Sequence, residues 1–172
     1  MKSCLIYLIG LSSMSCCAVH ATSFGIRLAG DFAIIDQKPA ICLPSNASDD
    51  FPIGSVSVSQ SYTRNSPSWG FSKAEDQAPM MLARGSCMKF GDVPPNYSLD
   101  GFGTQPRLEK LEIDRTYVFR VSHAWRPTDS YIVVFCVNKP GIKPAYSAYE
   151  PLSKGSRVVP ACDARRNSMT VP

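Results

Sequence analysis

The 172-residue chain has no apolar run able to cross a bilayer. Leu5-Ile-Tyr-Leu-Ile-Gly-Leu11 falls far short of the ~20 residues that a membrane helix needs. Helical periodicity is also missing. No segment keeps apolar residues on one helical face for more than two turns, and 14 Pro and 11 Gly spread along the chain oppose long helices. Histidine is scarce, with only His20 and His123. No G-x-S-x-G, H-E-x-x-H, Walker or G-x-G-x-x-G pattern occurs, and no cysteines stand in a C-x-x-C pair. These absences remove zinc ribbons, thioredoxin-like redox sites and the common nucleotide cradles, and no cofactor is expected. The net charge of +4 is mild and its basic residues are scattered, the densest pair being Arg165-Arg166. That distribution opposes a nucleic-acid surface.

What is present begins with a secretory leader. Lys2 supplies the positive end, Leu5–Leu11 the apolar stretch, and Val19-His20-Ala21 the small residues before a cleavage site. Cleavage after Ala21 leaves a mature chain of roughly 150 residues, one domain's worth. Its charge is +4 − 1 = +3, because Lys2 is the leader's one charged side chain. Lipidation at Cys16 or Cys17 is the alternative, and it would tether the protein to a membrane. The residues Ser13-Met14-Ser15 before Cys16 make a poor lipobox, so soluble secretion is preferred. Four cysteines remain in the mature chain: Cys42, Cys87, Cys136 and Cys162. An even number in an exported chain implies disulfides. Three pairings are possible, of which Cys42–Cys87 with Cys136–Cys162 is favoured, the second tying the tail to a late strand.

The clearest strands lie in Leu111–Ala124 and Tyr131–Val137. From Tyr117, the residues Tyr117, Phe119, Val121 and His123 alternate with Val118, Arg120, Ser122 and Ala124, the mark of a half-buried strand. Tyr131–Val137 is apolar on both faces, as a central strand is. Earlier strands are expected at Asp31–Ile35, Ala40–Leu43, Ile53–Thr63, from Trp69, and within Met80–Phe90. Leu111 followed by Tyr117 across a polar turn matches the approach to a tyrosine corner. The expected fold is an all-β, immunoglobulin or fibronectin-III-like antiparallel sandwich of about seven short strands. Residues 22–138 form the sandwich, with Gly91–Pro106 as a long inserted loop. Residues 139–172 form an irregular extension tied back by a disulfide, with Arg157–Val159 a possible edge strand.

The chemistry is thin. A Ser–His–Asp or Cys–His site would have to use His123, whose place in the strand pattern reads as packing. Asp49-Asp50 and Asp129 are acids of the kind that bind calcium, but isolated pairs in loops are usually solvated. What remains is recognition. Tyr62, Arg64, Trp69 and Phe71 cluster around one turn, Tyr97 and Phe102 stand in the long loop, and Trp125, Arg126, Asp129 and Ser130 join the two strongest strands. Trp, Tyr and Arg on loops of a rigid scaffold are the types enriched at binding hot spots.

Residues 27–137 resemble a group of small exported bacterial proteins, the type VI secretion immunity periplasmic lipoproteins. The likeness is carried by Ile41-Cys42-Leu43-Pro44, Gly85-Ser-Cys87-Met-Lys-Phe-Gly91, Leu111…Tyr117-Val-Phe and Tyr131…Phe135-Cys136-Val137. The chain departs from the group in its lipobox, its Gly91–Pro106 stretch and its tail with Cys162. The resemblance implies a periplasmic protein that catalyses nothing and neutralises a secreted toxin by binding it. Two other classes compete: a pilus, adhesin or envelope-assembly module that uses a sheet edge, and a small periplasmic hydrolase built on His123.

Overall fold

Alternating residues in the longest strands decide which side of each becomes core. The computed structural model describes residues 25–61, 63–101, 106–138, 145–149 and 162. It places β4 at Phe51–Gln60, β9 at Arg115–His123 and β10 at Ser130–Asn138. Antiparallel register sets Val56 opposite Val121, Val58 opposite Phe119 and Val133 opposite Phe119, so one apolar face runs across three strands. Around them lie β1 (Arg27–Ala29), β2 (Asp31–Ile35), β3 (Lys38–Cys42), β5 (Ser68–Lys73), β6 (Met81–Leu82), β7 (Cys87–Lys89), β8 (Tyr97–Leu99) and β11 (Ala145–Ala148). The larger sheet runs β1-β10-β9-β4-β5-β8, with β11 also on β10 and β6 on β4; the smaller runs β2-β3-β7. The order β10-β9-β4-β5 is that of strands G, F, C and C′ in a variable-type immunoglobulin sheet.

The all-β sandwich expected from the sequence is therefore present, with differences of detail. The described strands number eleven rather than about seven, because strands of two to four residues have too few alternating positions to be read in advance. One pair, β1 with β10, is parallel. The stretch beginning at Gly91 is not simply an inserted loop: it contains β8, which extends the sheet beyond β5. The C-terminal extension is likewise not wholly irregular, since β11 pairs with Phe135–Asn138. The leader, residues 1–21, and Arg157–Val159 lie outside the described residues.

Aromatic rings join the two sheets. Phe32 of β2 stacks on Phe135 of β10 at 5.5 Å, and Phe135 stacks on Tyr117 at the same distance. Trp69 meets Phe90, just after β7, at 5.0 Å. Such pairs add to the area they bury. Tyr117 completes the expected tyrosine corner, its hydroxyl accepting the Glu112 N–H at 2.8 Å, while Leu111 packs against the core. Asp36 and Gln37 both have positive φ, the geometry of a tight hairpin turn between β2 and β3. At Gly54, where the β4–β9 register shifts, a Cβ would stand 2.7 Å from Ala124 Cα, so only glycine lets the strand pass there.

Both favoured disulfides are formed. Cys42–Cys87 crosslinks directly opposed residues of β3 and β7, and Cys136–Cys162 ties Cys162 to β10. Two bridges mark a chain that folds under oxidising conditions.

Candidate functional site

The β9–β10 connection is held from its own ends. His123 finishes β9 with its ring buried, and its Nδ1 accepts the N–H groups of Trp125 at 3.1 Å and Arg126 at 3.2 Å. That geometry assigns the neutral tautomer with its proton on Nε2. Burial, and then the Arg126 cation, hold the His123 pKa below the ordinary value of 6.5, with Asp129 opposing them. Phe51 packs edge-on against both the His123 ring and the Tyr131 ring, each at 5.1 Å.

Asp129 is the clamp of this end. Its Oδ1 accepts the Ile26 N–H at 2.9 Å, and its Oδ2 lies 3.2 Å from Arg126 Nε. Its backbone carbonyl accepts the His123 N–H at 3.0 Å, while its own N–H donates to the Arg126 carbonyl at 2.8 Å. One residue thus closes the turn, orients Arg126 and ties the lead-in of β1 to the loop.

Between this loop, the start of β1, the β3–β4 connection and β6 lies an open cleft of about 410 Å³. Ile26, Leu28, Met81 and Trp125 all line it, and each is at least 48% exposed, Trp125 most of all at 67%. Asp49 and Asp50 stand on the rim, Asp50 accepting the Arg84 N–H at 3.2 Å. Large apolar side chains left open around one cleft are what an interaction site requires and what a solvated loop end avoids. Among the described residues, no three His, Cys, Asp or Glu side chains come together to hold a metal.

The structure brings together Trp125, Arg126, Asp129 and Ser130 of the expected recognition residues. It does not bring the others to them. Arg64 is exposed in the β4–β5 turn, but β4 runs from His123 at one end to Tyr117 at the other, so that turn lies at the opposite end of the sandwich. Trp69 is corrected to a core residue, 5% exposed and wedged between Phe71 and Phe90. Phe71 is likewise fully buried. Tyr97 is also corrected. Its ring is in the core against Phe71, and its hydroxyl donates to the Ile53 carbonyl and accepts the Met80 N–H. It holds Ile53 and Met80, the chain neighbours of Pro52 and Met81 in the cleft lining. Tyr62 and Phe102 lie outside the described residues.

Sequence reasoning passed over Ile26, Leu28, Phe51 and Met81. Ile26 and Leu28 alternate around Arg27, a short signal that becomes legible only once β1 is seen parallel to β10. Fold and site together define a disulfide-braced β-sandwich with an apolar-rimmed cleft at one loop end. Comparison with protein-family models, characterised proteins and solved structures finds no match to this chain.

Proposed function

We propose that the protein is an exported binding protein, a periplasmic immunity protein that neutralises a secreted toxin by seating part of it in the cleft below Trp125. The observation that carries this reading is the exposed Trp125 on a loop fixed by the Asp129 clamp, beside exposed Ile26, Leu28 and Met81. An anchor already held in place loses little freedom on binding, which is how a small interface gains affinity. The leader read from the sequence and the two disulfides agree with work outside the cytoplasm.

The test is protection. A host that expresses a periplasm-directed toxin encoded beside this chain should survive with the parent protein and die with Trp125→Asp, although both accumulate as folded, oxidised protein. Equal protection by the two would sink the reading. An envelope-assembly role has one feature in its favour: β2 is an edge strand carrying exposed Ile34 and Ile35. Proline at Ala33 would abolish that role and leave the cleft intact. Against a hydrolase on His123 stands the ring's acceptor nitrogen, Nδ1, which already takes two backbone N–H groups.

A further inference from the structure

On the face of the larger sheet turned away from the core, Arg120 has no ion-pair partner among the described residues. On β9 the core side belongs to Tyr117, Phe119, Val121 and His123, so Arg120 points outward. Its cross-strand partners are Ile132 on β10 and Ser57 on β4, and its neighbours along the strand are Val118 and Ser122. All four are uncharged. The Nε of Arg120 is shut away from solvent without a hydrogen-bond acceptor. No ion pair to it occurs among the described residues; Asp100 lies two strands further across, where it accepts the Ser72 hydroxyl at 2.6 Å. Among the described residues, the charge that acts on it is of the same sign. Burial, and then the Arg27 cation of β1, hold the Arg120 guanidinium below its ordinary range. Thr116, four residues earlier on the same face, has a buried hydroxyl that is also unpartnered.

A guanidinium N–H shut away from solvent with no acceptor is costly, and a structural arginine would be expected to find a carboxylate. Around it, Ser55, Ser57 and Ser59 on β4 give a low surface of short polar side chains, which another protein backbone can approach closely. We infer that this outer sheet face docks a protein partner that presents a carboxylate, from Asp or Glu, to Arg120. The inference does not rest on the reading of the cleft. Arg binds carboxylates through paired N–H donors, and that geometry is what the free guanidinium has to offer.

The probe is a glutamate-rich hexapeptide, titrated into the ¹⁵N-labelled full chain while the arginine Nε–H signals are followed. Sodium sulfate at matched ionic strength is the second arm. The Arg120 signal should shift saturably with the peptide. Arg120→Gln should weaken binding at least about fivefold and Arg107→Gln, an exposed cation elsewhere, should not. No shift, equal weakening by both variants, or sulfate binding as tightly as the peptide would each overturn the proposal. Melting supplies an independent reading: Arg120→Met should melt at or above the parent temperature, because a buried N–H without an acceptor is removed. A marked fall would make Arg120 a packing residue and end the argument.

Discussion

Replacing Asp129 by alanine should loosen β1 and the Trp125 loop together while the sandwich stays folded. The Asp129 carboxylate makes two contacts of different kinds. The Ile26 N–H at 2.9 Å donates to a charged acceptor, but it does so at an exposed position where water can replace it. That contact contributes about 1 kcal/mol, below the range for buried charge-assisted bonds. The Arg126 pair, with the arginine side chain 66% exposed, adds no more than ~1 kcal/mol. The total expected loss is about 1–2 kcal/mol, read as a shift in the midpoint of urea unfolding with an unchanged slope. Asp129→Asn keeps an oxygen for the Ile26 amide and loses the ion pair, so it should recover about half of the deficit. Hydrogen exchange localises the effect. The Gly30 N–H, which donates to the Ile132 carbonyl at 3.0 Å, should lose protection in the alanine variant, while amides of β4 and β9 keep theirs. An alanine variant with unchanged Gly30 exchange and a loss below ~0.3 kcal/mol would refute the clamp.

His123 and the Cys42–Cys87 bridge each give a further measurable outcome. His123 is held neutral in the folded state, its pKa below 6.5, so the folded state binds its proton less readily than the unfolded chain. The stability this represents is complete above about pH 6.5 and is lost as pH falls from there through the lowered folded pKa. Unfolding midpoints should therefore decline from pH 7.5 to pH 5.5, and His123→Gln should flatten that decline; a parallel slope in the variant would count against it. Removing the Cys42–Cys87 bridge as a double alanine variant opens a loop with a sequence separation of 45. Chain-entropy reasoning puts the loss at about 4 kcal/mol, to be checked by unfolding under oxidising conditions.

The parts of the fold legible in the sequence are those with long alternation. Tyr117 to His123 and the apolar Tyr131–Val137 specify their own pairing, and Leu111 with Tyr117 announces the corner that the Glu112 amide closes. Strands such as β1, β6 and β8 have two or three residues each and take their conformation from what they pair with. The site divides in the same way. Trp125, Arg126 and Asp129 could be read because a loop between two certain strands must surface. Trp69 and Tyr97 could not be placed, because in each the same aromatic ring suits a hot spot or a core, and only the packing against Phe71 decides. Ile26, Leu28 and Met81 reach the cleft from β1, its lead-in and β6, whose positions no local pattern encodes.

The central claim is that the cleft end of the sandwich is a rigid recognition surface anchored by Trp125. Its most direct measurement is the affinity of the purified, oxidised protein for the toxin partner proposed above, compared between the parent and Trp125→Ala. Truncating a central, exposed aromatic anchor should weaken binding by 2 kcal/mol or more, roughly thirtyfold, with no change in melting temperature. Equal affinity of the two proteins, or a loss of binding that tracks a loss of folding, would contradict it.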